Sequence, residues 1–152
     1  MADLYARLAE LGISLPPVAT PAGSYLPAVR SGAYVYVSGQ LPFVDGALAA
    51  TGKVGAEVSV EQARELAAQC AVNALAAIDD LVGLNAVVKI VKVTGFVASA
   101  PGFNGQPGVI NGASDLFSEV FGEAGRHARS AVGVAELPLN TPVEVEVIAE
   151  VA

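Results

Sequence analysis

Between residues 143 and 148 the chain alternates without a break. Val143, Val145 and Val147 share one face of an extended strand, and Glu144, Glu146 and Ile148 share the other. Upstream, Arg129-Ser130-Ala131-Val132-Gly133-Val134 mixes small and β-branched residues in a second strand pattern, and a Pro-rich break over 137–142 separates the two. The short connection predicts an antiparallel pair, which would bring Arg129 toward the carboxylates of the other strand. There it would either hold a small acid or belong to a solvated charged rim.

The longest helical pattern opens at Ser59, with Gln62 completing a capping box. Apolar residues recur through Ala63, Leu66, Cys70, Ala74, Leu75, Ile78 and Val82 until Gly83 closes it. A long strand over 87–97 follows, able to pair with a parallel neighbour across a helical crossover. The Gly/Pro-rich loop 101–108 leads into a second helix, 109–121, whose Ile110, Ala113, Leu116, Phe117 and Val120 point inward. Near the start, residues 34–38 form a strand by residue type, broken by Gly39, with a second strand piece over 41–46. Before them, Asp3 caps a short helix with Leu4, Leu8 and Leu11 on one stripe, and 14–24, with Pro16, Pro17 and Pro21, reads as an extended connector. Residues 1–24 are thus a helix and arm, and 25–152 a domain ordered β-β-α-β-α-β-β. This predicts an α+β fold, a mixed sheet with two helices packed on one face.

Composition adds limits. At 152 residues, 53% hydrophobic and only 15% charged, the chain suits one globular domain with some surface covered by a partner, as in a homo-oligomer. A net charge of −7 with 8 Lys plus Arg offers no basic stripe, so nucleic acid is not expected as a partner. Lone Cys70 excludes an internal disulfide and sits on an apolar helical face as a buried thiol. One His and one Cys cannot assemble a zinc site, so no metal is expected. No apolar run reaches the roughly 18 residues of a membrane span, and no signal peptide precedes the first helix, so the cytoplasm is the expected compartment.

Motif chemistry is equally selective. Ser38 stands in V-S-G-Q, not in a nucleophile elbow, and His127 is the only imidazole, which argues against a serine hydrolase. Gly102, Gly105 and Gly108 do not follow the strand–turn pattern of a dinucleotide site. His127 and Arg129, two apart, would share a strand face. They are compatible with an anion pocket, and the other reading of His127 is a surface residue after a helix.

Tyr25, the run Y-V-Y-V-S-G-Q-L-P (34–42), Asn111, the run A-R-S-A-V-G-V-A-E-L-P (128–138) and V-E-V-E-V-I-A (143–149) resemble the RidA family, also called YjgF or endoribonuclease L-PSP-like. The resemblance covers most of the chain, about residues 25–151. It implies a chorismate-mutase-like α+β fold assembled as a homotrimer with ligand clefts between subunits. It also implies hydrolysis of reactive 2-enamine or 2-imine acids to 2-keto acids and ammonia, without cofactor. Carried onto this chain, Arg129 matches the carboxylate-binding arginine and Glu144 the acidic residue near the hydrolytic water. Tyr25, Ser38, Gly39 and Asn111 match the substrate positioners, with Gly39 letting backbone approach the ligand. A 2-keto-acid binding module of the same fold is the alternative, and a ribonuclease or translation inhibitor fits poorly with the acidic charge. This chain departs from the family pattern in its long N-terminal arm, a longer 101–108 loop, an extra residue between Asn111 and Arg129, His127 in place of proline, and Ala131 where cysteine is common. It reads as a divergent branch.

Overall fold

The computed structural model describes residues 2–152. Its elements run α1 (Leu4–Glu10), β1 (Ala28–Ser31), β2 (Tyr34–Gln40), β3 (Phe43–Val44), β4 (Ala47–Leu48), α2 (Val60–Val82), β5 (Val87–Ala98), α3 (Gln106–Phe121), β6 (Ala128–Val134) and β7 (Val143–Val151). β1, β2, β7, β5 and β6 lie side by side in that order in one sheet, while β3 and β4 form a separate hairpin. Every neighbour in the large sheet is antiparallel except β5 and β6, which are parallel and joined through α3. The expected α+β architecture with a mixed sheet is present.

The expected β6–β7 hairpin is not. β5 lies between the two strands, with Val93 beside Arg129 on one edge and Val147 on the other. The reason lies in β7. Its alternate residues Val143, Val145, Val147, Ala149 and Val151 are all buried, which requires the centre of the sheet and a neighbour on each edge. Each valine removed from water contributes about 1.5–3 kcal/mol, so this strand favours the most covered position. The connection straddles the end of β5: Ser99 N–H donates to Val134 O, and Ala98 N–H to Pro142 O. Two smaller expectations also change. β2 runs on through Gly39, with its register shifting between Val37 and Gln40. α3 starts at Gln106 with Pro107 in its first turn, where the missing N–H costs nothing, so part of the expected loop is helix.

α2 and α3 pack on one face of the sheet and on each other. Ser59 Oγ accepts the Gln62 N–H at 3.1 Å, as its capping sequence requires. The helices approach so closely that a Cβ on Gly112 would lie 2.0 Å from the Arg64 backbone oxygen. Phe117, Leu75, Ile78, Ile90 and Ile110 fill the space between helices and sheet. The sheet's other face is open, and Val29, Tyr34, Tyr36 and Val132 stand exposed on it.

α1 docks on the helical side. Asp3 accepts the Tyr5 N–H, Leu4 N–H donates to Asn85 Oδ1 at 2.8 Å, Leu84 N–H donates to the Tyr5 hydroxyl, and Arg7 Nε donates to Glu119 O. From there Ile13, Leu15 and Val18 hold the arm against the core.

Candidate functional site

The sequence-nominated residues fall into two groups. Tyr25, Ser38, Gly39 and Glu144 border one cleft of about 530 Å³, together with Leu41, Phe43, Leu139 and arm residues Ala19, Thr20, Pro21 and Ala22. β2 and β7 position its floor. The pleat that buries Val143 and Val145 against the helices turns Glu144 to the open face, where the bulge in β2 sets Gly39 against it. A Cβ on Gly39 would lie 2.0 Å from Glu144 Oε2, so the absent side chain is what leaves room for the carboxylate. Glu144 is half-buried, and no hydrogen bond relieves its charge among the described residues. Burial first, and then the like charge of Glu146, raise its pKa above the ordinary carboxylate value.

The cleft's other polar groups are held by backbone. Ser38 Oγ donates to Leu26 O at 2.6 Å, which leaves its lone pairs to accept. Tyr25 Oη accepts the Ala22 N–H at 3.2 Å, which leaves its proton to donate. Asn73, which the sequence reading did not single out, is buried in α2. Its Nδ2 donates to Leu41 O at 2.9 Å and Phe43 O at 3.1 Å, fastening two apolar cleft residues to the helix. On the opposite rim, Leu139 and Asn140 carry positive φ angles of 56° and 58°, conformations that non-glycine residues rarely hold.

Arg129 and Asn111 make the second group. Arg129 pairs with Val93, whose side chain is buried under the helices, so Arg129 faces the helical side at the outer edge of the sheet. Its Nη1 donates to Asn111 Oδ1 at 2.7 Å and to Ser114 Oγ at 3.2 Å, both on α3. No carboxylate forms a salt bridge with it among the described residues. The expectation of nearby carboxylates from β7 therefore fails in a single chain. Glu144 is level with Phe96, three positions along β5 from Val93, and points from the opposite face. Spacings of about 4.8 Å between strands and 3.3 Å between residues put the two backbones on the order of 14 Å apart.

His127, left between surface residue and anion pocket, joins this second group. Its Nε2 lies 2.9 Å from Ser114 Oγ, its Nδ1 bonds Gly125 O, and its ring meets Phe117 edge-on at 6.0 Å. Ser114, which the sequence reading missed, links His127 to Arg129. A usable signal existed: Asn111 and Ser114 are three apart on a helix, and His127, just before β6, is two residues from Arg129 at its start, so each pair can face the same way.

Among the described residues no three His, Cys, Asp or Glu side chains are grouped to hold a metal, and no helix is long and apolar enough to cross a membrane. Cys70 is fully buried in α2, and burial pushes its thiol pKa well up.

Known proteins place this arrangement in context. Protein TCP17 of Trypanosoma cruzi is 46% identical over 147 residues, spanning 95% of this chain and 92% of its own. The structure of Atu1372 from Agrobacterium tumefaciens, a protein of unknown function, superposes with a TM-score of 0.89 at 47% identity, covering 97% of this chain and 91% of that one. A 2-iminobutanoate/2-iminopropanoate deaminase of Dermatophagoides farinae is 35% identical, over 90% of this chain and 92% of its own. Residues 5–151 match the family described as "YjgF/chorismate_mutase-like, putative endoribonuclease", and the chain belongs to that family.

Proposed function

We propose that this protein hydrolyses reactive 2-imino acids to 2-keto acids and ammonia, in a site that two subunits of a homotrimer complete together. The observation that carries the reading is an arginine with no acidic partner among the described residues, held by neutral groups, together with a half-buried carboxylate of raised pKa in an open cleft on the other face of the sheet. The first suits a substrate carboxylate, which takes a guanidinium edge bidentately. The second suits a base that must be ionised yet proton-hungry near neutral pH. The relative named as an imine deaminase supports this reaction class.

In the proposed reaction Glu144 takes a proton from water as its oxygen bonds to C2 of the imine. That proton passes to the imine nitrogen as the C=N π bond is lost, giving the carbinolamine. The carboxylate then takes the hydroxyl proton and delivers it to the amine, and the C–N bond breaks as C2 becomes the ketone carbon and ammonia leaves. Ser38 accepts from the substrate nitrogen, and Tyr25 donates to it or to the incoming water. Leu41, Phe43, Leu139 and the arm surround the substrate side chain, which suits short aliphatic groups. Arg129 and Asn111 come from the neighbouring subunit, since one chain turns its two charged groups to opposite faces of the sheet. The open face of the sheet exposes Val29, Tyr34, Tyr36 and Val132, apolar side chains of the kind that oligomers cover.

The test generates imine in place with an amino-acid oxidase and measures how much a semicarbazide trap still captures. Added protein should lower semicarbazone formation, and Arg129→Ala should not. If carboxylate binds without any loss of semicarbazone, the chain is a 2-keto-acid binding module instead.

A further inference from the structure

Arg129 is part of a chain of hydrogen bonds through five residues. Gly125 O can only accept, so the His127 Nδ1 facing it carries a proton, and in the neutral ring Nε2 becomes an acceptor. Ser114 Oγ, 2.9 Å from Nε2, then donates its proton to His127. That orients a Ser114 lone pair toward Arg129 Nη1, 3.2 Å away, while Asn111 Oδ1 takes the other Nη1 hydrogen at 2.7 Å. A guanidinium has five N–H donors, and this arrangement occupies both on Nη1. Of the three that remain, Nε–H and the Nη2–H beside it form one fork of the width of a carboxylate, while the second Nη2–H points to the edge whose Nη1 donors are taken.

We infer that Ser114 and His127 are positioning residues, which fix the rotation of the Arg129 guanidinium so that only its Nε/Nη2 edge meets a ligand carboxylate. The inference rests on Arg129 as the carboxylate anchor but not on turnover. Ser114 could instead donate to solvent and serve neither neighbour. His127 prevents this, because its tautomer is set from the far side by a backbone carbonyl. Phe117 packs edge-on against the imidazole ring from the core side. The other charged side chains near His127 are Arg126, Lys89 and Glu150, which border the same surface hollow, and none of them bonds to Ser114.

Two measurements test this. His127 is the only histidine, so nitrogen-15 spectra of the imidazole report it without assignment. They should show the Nδ1–H tautomer, and should still show it in Ser114→Ala, since Gly125 O sets it. Equilibrium binding of 2-oxobutanoate, an inert keto acid, should weaken roughly tenfold in Ser114→Ala and in His127→Phe, the scale of one hydrogen bond to a charged group. Ser114→Thr and His127→Gln, which keep the hydroxyl and the acceptor, should recover most of that affinity. Where turnover exists, the loss should fall on KM with kcat retained. An Nε2–H tautomer in the native protein, or unchanged affinity in Ser114→Ala while Arg129→Ala loses it, would overturn the inference. Unchanged affinity in Arg129→Ala would remove the anchor itself, and the inference with it. Binding with no turnover in any variant would sink only the deaminase.

Discussion

Gly39→Ala separates what the cleft needs from what the fold needs. Gly39 has no left-handed backbone angle, so alanine suits its conformation. Its methyl would lie 2.0 Å from Glu144 Oε2, 2.8 Å from Cδ and 3.1 Å from Cγ, all on the movable end of one side chain. Ordinary contact is 3.4 Å or more, so the carboxylate must retreat by about 1.4 Å. Misplacing a catalytic group by about 1 Å costs on the order of a hundredfold in rate, or about 2.7 kcal/mol of transition-state stabilisation. Unfolding free energy should change by no more than about 1 kcal/mol, a Tm shift of roughly 2–4 °C for a chain of this size. Moving the carboxylate outward also relieves its burial, so its raised pKa should fall. The assay pairs semicarbazide-competition kinetics with thermal unfolding of the same preparation. A variant with wild-type kcat/KM would refute the role given to the position of Glu144. Extensive unfolding would instead show that Gly39 serves the strand.

Other perturbations discriminate further. Glu144 has a folded pKa raised above its unfolded value, so its ionisation opposes folding. That cost is absent below the unfolded pKa and grows as pH rises toward the folded one. Glu144→Gln should therefore be more stable than wild type at pH 7 and equal to it near pH 3, read by urea unfolding at both. Mixing inactive Arg129→Ala with inactive Glu144→Gln, then unfolding and refolding together, should restore activity to about one quarter of the sites if each site draws on two subunits at random. Recovery of none would place both groups' work in one chain. Gly112→Ala should cost about 1–3 kcal/mol, because its methyl meets the Arg64 backbone oxygen and one helix must move; denaturant titration reads this directly.

Much of this was legible in the sequence because periodicity reports burial. V-E-V-E-V named a strand with one buried face, and the Ser59 cap and Gly83 bounded the long helix. The pairing of β6 with β5 was not legible, since strand order depends on which strand needs two neighbours, and a short connection favours the wrong answer. The motif residues Tyr25, Ser38, Gly39 and Glu144 do share a cleft. That Arg129 turns to the other face follows only once its strand is known to lie beside Val93. Asn73 and Ser114 were overlooked for a common reason. A polar residue inside a helix announces nothing until the carbonyl or guanidinium it serves is in view.

The docking of α1 also bears on selectivity. With α1 fastened to Asn85, Leu84 and Glu119 at one end and β1 in the sheet at the other, the intervening arm is tethered twice. Ala19–Ala22 border the mouth of the cleft between these two anchors, so under the proposed function they set the size of its entrance. Under the proposed function, substrate selection would then follow from the dimensions of that entrance. Shortening the arm should accordingly widen the range of side chains that enter.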